Sequence, residues 1–257
     1  MKRLIFLCGV LLWSCNMDLQ DTGMEDVDFI TDKDGMFQYC ICSDAQATEL
    51  SWDYPIKPGM EEWKQLTTYK EMLEACEIPD HILSSLSTKE LAAICLHYPL
   101  LINMFAHNIP DNGIDFLFND FNGIRELFRR DAGAKELLNW YNCQIQNFSL
   151  VENKNFLDIE KGTLIIFTKM LEFLLSRAND NYKEILQSLV KGYETKLKYY
   201  PDYLNSSLSI NFFARGHIID KMCKDCLTEE QKNNIFGSFV LEEGKDVVNK
   251  LSYRLIK

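Results

Sequence analysis

Hydrophobic and polar positions follow a helical period from about residue 52 to the end of the chain. One short example has apolar residues at i, i+3, i+4 and i+7: Ile114, Leu117, Phe118 and Phe121. Residues 181–197 repeat this spacing, and a further helix is predicted over residues 212–222. Residues 164–175 (LIIFTKMLEFLL) are apolar almost all round, as in a central buried helix. Alternation with period two is nearly absent, and residues 37–42 (FQYCIC) are the one plausible strand. The pattern predicts an all-α protein.

Local signals predict where several helices begin. Ser87 and Glu90 match a capping box, and Thr67 or Thr68 is a candidate cap for the preceding helix. Pro79 is expected to open a short helix that runs through residue 86. The helices are short, the turns between them are tight, and no segment recurs at a fixed period. We therefore expect an irregular multi-helix bundle or stacked, α-solenoid-like helical hairpins.

The first 14 residues have the pattern of a secretion signal. Lys2 and Arg3 precede an apolar run over residues 4–13, which has the length of a signal-peptide core and is too short to span a bilayer. Residues 12–15 (LWSC) resemble the lipobox of bacterial lipoproteins, although Trp13 departs from the small or aliphatic residue usual there. The resemblance implies cleavage before Cys15 and a diacylated thiol on Cys15. An ordinary cleaved signal or a buried N-terminal helix is the alternative.

An acidic segment follows the lipobox. Residues 15–50 carry many carboxylates without a helical stripe and predict a solvated tether, so that residues 51–257 form a single helical domain. Asn16 rather than Asp follows the cysteine, which by resemblance to enterobacterial lipoproteins implies release to the outer membrane. The acidic residues soon after Cys15 also resemble the surface-export signals of Bacteroidetes lipoproteins. The periplasmic and the surface face both remain open.

The acidic charge narrows the range of partners. The chain carries 27 Lys and Arg against 38 Asp and Glu, a formal net charge of −11, without a basic stripe. Such a chain repels nucleic-acid phosphates, so we expect no nucleic-acid partner. The expected partners are the membrane, through the lipid anchor, and an unidentified protein or small molecule.

A resemblance to known proteins extends over roughly residues 51–141. The segments YPIKPGMEEWKQL, MLEACEIPDHIL, LSTKEL, YPLL and FNGIRELFRRDAGAKELLNWY occur in this order. Together they resemble a group of uncharacterised secreted or lipid-anchored bacterial proteins, Bacteroides-type and some Gram-positive. The resemblance implies a shared helical domain in the cell envelope and assigns no activity to any residue.

The cysteines offer a few chemical alternatives. Cys223 and Cys226 form a CxxC motif, but they are expected at the end of a helix, where exposed carbonyls disfavour a thiolate, and this argues against a redox function. With Cys40 and Cys42 they could instead supply four thiolates to zinc, with His217 as a possible substitute ligand. A disulfide that clamps the start of the domain to its end is equally open. We expect no cofactor.

Candidate binding and catalytic residues are sparse. His107 lies close in sequence to Asp111 and Asp115, which permits acid–base or metal chemistry but is also the ordinary composition of a polar loop. Trp52, Tyr54 and Trp63 bracket a proline-rich loop, where aromatic rings either bind a sugar or peptide or hold the loop to the core: the sequence leaves both open.

Two classes of function follow. The first is a non-catalytic envelope lipoprotein with a helical interaction or ligand-binding domain. The second is a hydrolase or metal-dependent envelope enzyme with a site assembled from distant residues. The sequence contains no HExxH, GxSxG or glycine-rich phosphate-loop pattern, so we favour the first class.

Overall fold

The computed structural model describes residues 50–153, 158–199, 201, 204–238 and 240–257. All of these residues belong to one compact unit. The described part is helical and contains no strand, which confirms the all-α prediction. The lipobox with Cys15, the acidic segment and the FQYCIC stretch lie outside the described residues.

Twelve α-helices and one 3₁₀ helix, η1, are present in the described ranges. They are α1 (Glu61–Gln65), α2 (Tyr69–Ala75), α3 (Asp80–Ser85), α4 (Thr88–Leu96), η1 (Leu101–Ala106), α5 (Pro110–Asp120), α6 (Asn122–Arg129), α7 (Gly133–Asn153), α8 (Asp158–Leu175), α9 (Tyr182–Tyr199), α10 (Leu204–Met222), α11 (Glu229–Phe236) and α12 (Glu242–Leu255). None of these helices combines the length and the apolar character that a bilayer crossing requires.

Four long helices form the centre of the domain. Helix α7 packs against α8 and α9, and α10 packs against the same two helices, so the four close on one another. Leu171, Leu174 and Leu175 of α8 are fully buried between these neighbours. The apolar segment over residues 164–175 is therefore a central buried helix, as its composition predicted.

The shorter helices cover this centre. Helix α4 packs against α6 and α7, η1 packs against α5, and α12 packs against α9, α10 and α11. The capping boxes are confirmed, because Thr68 caps α2 and Ser87 caps α4, each with the glutamate three residues later. Pro79 precedes α3 directly, also as predicted.

Helix α10 is longer than the apolar pattern indicated. The sequence predicted a helix over residues 212–222, whereas the backbone is helical from Leu204. The preceding residues (LNSSLSIN) are rich in serine and asparagine, which favour caps and turns and carry no apolar stripe. The end of α10 at Met222, directly before the CxxC motif, agrees with the prediction.

Candidate functional site

The first turns of α5 present two carboxylates on one face. Pro110 opens the helix, where its missing N–H is not required, and Asp111 follows at the positive end of the helix dipole. Asp115 lies one turn later on the same side. Gly113 lets α5 approach η1 closely, because a Cβ there would lie 2.0 Å from the carbonyl oxygen of Met104. The close packing of α5 on η1 therefore fixes the position of both carboxylates.

Arg177, just after α8, contacts both carboxylates. Its Nη2 lies 3.0 Å from Oδ1 of Asp111 and 2.6 Å from Oδ1 of Asp115. The side chain of Asp115 is 64% exposed, so water screens its contact with Arg177. The side chains of Arg177 and Asp111 are 25% and 26% exposed, so their contact is the better shielded of the two.

His217, on α10, approaches Asp111 from another direction. Its Nε2 lies 3.1 Å from Oδ1 of Asp111, and the side chain is 16% exposed. The imidazole stacks on the ring of Phe236 with 4.2 Å between centroids and meets Phe213 edge-on at 4.6 Å. These two rings hold the imidazole in place against Asp111.

Lys221 lies in the last turn of α10. Its Nζ donates to the carbonyl oxygens of Ser176 at 3.0 Å and of Ala178 at 2.7 Å. These carbonyls follow the end of α8, where a cation is favoured. Burial and then the charge of Arg177 lower the pKa of Lys221 to about 8, although Asp111 opposes this shift.

We call this group the charged junction: Asp111, Asp115, Arg177, His217 and Lys221. Burial alone would raise the pKa of Asp111, but the adjacent imidazole of His217, with the charges of Arg177 and Lys221, outweighs burial and lowers it. Asp111 is therefore a carboxylate at neutral pH. The charged junction ties α5 and α10 to the segment that follows α8.

An open depression of about 540 Å³ adjoins the charged junction. Its lining residues are Asn181, Tyr182, Lys183, Glu184, Lys221 and Met222. Lys221 belongs to both features and connects them. Asn181 has a φ of 52°, in the left-handed region that asparagine tolerates better than most residues, and it leads directly into α9. The depression is wide enough for a small polar ligand or for the side chains of a peptide.

The structure brings Asp111 and Asp115 together with other titratable groups, but the histidine at Asp111 is His217 rather than His107. The ring of His107 packs against Phe116 with 5.0 Å between centroids. Proximity along the chain favoured His107 in the sequence hypothesis, whereas packing of α10 beside α5 supplies a histidine about a hundred residues later.

The aromatic candidates hold the loop before α1 to the core. Tyr54 is buried, and its hydroxyl donates to the carbonyl oxygen of Ile94 at 3.1 Å. Trp52 meets Tyr54 edge-on with 4.8 Å between ring centroids, and Trp52 and Trp63 are partly buried against the core. Tyr54 therefore offers no open face to a sugar or peptide, and only Trp52 and Trp63 keep part of their surface exposed.

The CxxC cysteines are joined to each other. Cys223 and Cys226 form a disulfide, so in this form neither sulfur is a thiolate for zinc, nor free to clamp Cys40 or Cys42. Cys40 and Cys42 lie outside the described residues. Within the described ranges, no three His, Cys, Asp or Glu side chains are grouped closely enough to hold a metal ion.

The other cysteines of the described part differ in state. Cys76 and Cys95 are free thiols and fully buried. Burial raises the pKa of Cys76 to about 12 and that of Cys95 well above its ordinary value. Cys143 is disulfide-bonded.

A second polar group, inside the bundle, was not predicted from the sequence. Glu172 of α8 is fully buried, and its Oε1 accepts hydrogen bonds from Tyr141, Lys196 and Asn211 at 2.7–2.8 Å. These donors lie on α7, α9 and α10, so one carboxylate joins all four central helices. The available signal was an acidic residue within the otherwise apolar helix over residues 164–175. Arg177 and Lys221 of the charged junction carried no comparable signal.

No family model, curated protein or solved structure matches this chain. The chemistry of the charged junction therefore rests on its own geometry. The contact between Asp111 and His217 sets a carboxylate beside an imidazole, the side chain that serves most often in general acid–base catalysis. Lys183 is exposed at the edge of the depression, and Asp115 is exposed at the edge of the charged junction. Both side chains can contact a charged partner there.

Proposed function

We propose that this chain is a lipid-anchored protein of the bacterial cell envelope whose helical domain binds a partner or ligand. The observation that carries the anchor is the order of features in residues 2–15: two basic residues, an apolar run of signal-peptide length, a small residue and a cysteine. Acylation of Cys15 would hold the domain at the outer membrane, with the acidic segment as its tether.

The disulfides support a location outside the cytoplasm. Cys223 pairs with Cys226, and Cys143 is disulfide-bonded. Disulfides persist in oxidising compartments such as the periplasm and the cell surface and are rare in the cytosol.

The charged junction with the adjoining depression is the proposed binding surface. Asp111, Arg177 and His217 fix one another, so their charges are held in place before a ligand arrives. Lys183 and Glu184 then present both signs of charge at the start of α9, on the wall of the open depression. Preorganised polar groups beside an accessible concavity are typical of small-ligand and peptide sites.

The anchor is tested by the intact mass and the membrane association of the expressed chain, compared between the parent and the Cys15→Ser variant. We expect the parent in the membrane fraction, with the mass of a chain that begins at Cys15 and carries lipid. The variant should lose both the lipid adduct and the membrane association.

Cys8→Ser is the matched control, because it removes a cysteine from the leader and should leave the mature product unchanged. A parent without a lipid adduct, or a Cys15→Ser variant that retains one, would overturn the anchor.

A second candidate function is hydrolysis, which the contact between Asp111 and His217 favours. A hydrolase that used this pair would lose activity at least about a hundredfold on His217→Gln substitution, because general-base catalysis contributes a factor of this size. Hydrolysis of chromogenic carboxylic esters, phosphate esters and glycosides by the parent, the variant and a folded His81→Gln control would test this. Equal rates for parent and His217→Gln would exclude the role.

A further inference from the structure

The disulfide between Cys223 and Cys226 lies in the turn between α10 and α11. Cys223 directly follows α10, and its N–H donates to the carbonyl oxygen of Ile219 at 2.9 Å. The sulfur of Cys223 is therefore at the negative end of a helix dipole, which disfavours its thiolate. In the sequence analysis, this position at the end of a helix was the reason for expecting no redox function.

The second sulfur has a different environment. Arg254, in the last turn of α12, donates from Nη2 to Sγ of Cys226 at 3.2 Å. A guanidinium beside a cysteine favours the thiolate and makes that sulfur the better leaving group. The two sulfurs are thus inequivalent, and the contact comes from a residue 28 positions later in the chain.

The disulfide is also accessible. Cys223 and Cys226 are both partly exposed, whereas the free thiols of Cys76 and Cys95 have no exposed surface. Met222, which directly precedes Cys223, lines the depression beside the charged junction. The wall of the depression and the disulfide are therefore formed by consecutive residues of the chain.

We propose that Cys223 and Cys226 form a thiol–disulfide exchange site that oxidises a dithiol substrate, either a small dithiol or a pair of cysteines in a protein. A substrate thiolate attacks Sγ of Cys223, the bond between the two sulfurs breaks, and Cys226 leaves as a thiolate beside Arg254. The second substrate thiolate then attacks the substrate sulfur bound to Cys223, and Cys223 leaves in turn. The substrate ends as a disulfide, the protein gains two electrons as two thiols, and the substrate's two protons pass to these thiols or to water.

This activity goes beyond the proposed binding function and does not depend on the lipid anchor. The experiment uses the full chain and two probes, the dithiol dithiothreitol and the monothiol glutathione. Samples are quenched with an alkylating agent at successive times, and peptide masses locate each modified cysteine. We expect dithiothreitol to reduce the pair in the folded protein, and glutathione to be trapped on Cys223 with Cys226 alkylated.

Cys76 and Cys95 report on folding in the same experiment. They should stay unlabelled while the pair reacts, because labelling of these buried thiols requires unfolding. Reduction of the pair only together with labelling of Cys76 and Cys95 would show a structural disulfide and overturn the proposal.

The role of Arg254 is tested with Arg254→Gln and with Lys250→Gln, which removes one positive charge a turn earlier on α12. Arg254 is exposed, so we expect reduction to slow by about threefold in Arg254→Gln, which is the size of a solvent-screened contact. Lys250→Gln should leave the rate unchanged. Equal rates for the two variants, or glutathione trapped mainly on Cys226, would overturn the assignment of Cys226 as the leaving thiolate.

Discussion

Glu172 is a charged side chain without solvent contact, and three donors from three other helices share its Oε1. Arg215 is equally buried: its Nε donates to Oγ of Ser252 at 2.9 Å, and the guanidinium lies over the ring of Tyr193. Buried charges of this kind contribute less to stability than well-packed apolar residues would, but removing one partner is costly because the other stays buried and uncompensated.

This asymmetry gives a prediction for Glu172→Gln. Glutamine keeps an oxygen for the hydrogen bonds but removes the charge opposite the ammonium of Lys196, which burial already disfavours. We expect the free energy of unfolding to fall by about 3 kcal/mol, as measured by urea denaturation. The exposed Glu230→Gln should change it by less than about 0.5 kcal/mol.

The paired variant Glu172→Gln with Lys196→Met removes the ammonium as well, while the glutamine oxygen still accepts from Tyr141 and Asn211. If the uncompensated charge is the cause, this double variant should be more stable than Glu172→Gln. A Glu172→Gln protein as stable as the parent would contradict the role given to the pair.

The lowered pKa of Asp111 predicts a dependence of stability on pH. A carboxyl whose pKa is lower in the folded than in the unfolded state contributes stability that is present above the ordinary value of about 4. This contribution is lost as the pH falls through the folded value. Urea denaturation between pH 7 and pH 2.5 should therefore show a smaller acid destabilisation for Asp111→Asn than for the parent.

Asp246→Asn is the control for this measurement, because Asp246 is an exposed carboxylate on α12. Its pH profile should follow that of the parent. An Asp111→Asn profile that coincides with the parent over the whole range would show that His217 and Arg177 do not stabilise the carboxylate.

At the scale of helices, the sequence predicted what depends on local chemistry. Apolar spacing and capping residues determine α2, α4 and α9 within the chain itself, so these elements were predictable. The pairing of helices depends on long-range packing, and a single sequence does not show this packing. For this reason Asp111 was recognised as a candidate, while its partners Arg177 and His217 emerged only from the packing of α5 with α8 and α10.

Gly192 shows how one position sets the distance between two helices. It lies in the middle of α9, and a Cβ there would lie 1.9 Å from the hydroxyl oxygen of Tyr141 on α7. That hydroxyl donates to Glu172, so it cannot move without breaking the buried network. We expect Gly192→Ala to lower the free energy of unfolding by about 2 kcal/mol, despite the better helix propensity of alanine.

Gly162→Ala is a matched control on α8, because a Cβ there meets no atom within 4 Å. It should be neutral or should stabilise the protein by up to about 1 kcal/mol, the gain in helix propensity alone. Thermal denaturation followed by circular dichroism compares the two variants. A Gly192→Ala protein as stable as Gly162→Ala would show that α7 and α9 can separate without cost.

At the scale of the whole molecule, the last helix closes the described domain. Helix α12 packs against α9, α10 and α11, and it buries Val248 and Leu251 in the core. It also supplies the hydroxyl of Ser252 and the carbonyl of Val248 to the buried guanidinium of Arg215. Apolar burial and the environment of a buried charge thus depend on the same 14 residues.

A chain that ends at residue 241 should therefore lose its cooperative fold. Its α10 would expose an apolar face to water and would leave Arg215 without Ser252, and these losses together are comparable to the total stability of about 5–15 kcal/mol for a domain. Size-exclusion chromatography and urea denaturation should show an aggregated or expanded chain without a sharp transition. Deletion of the exposed Lys257 alone is the control and should leave the transition unchanged. If the shortened chain kept the parent's transition midpoint, the central helices would be stable without α12, and the buried Arg215 would not need the partners that this helix provides.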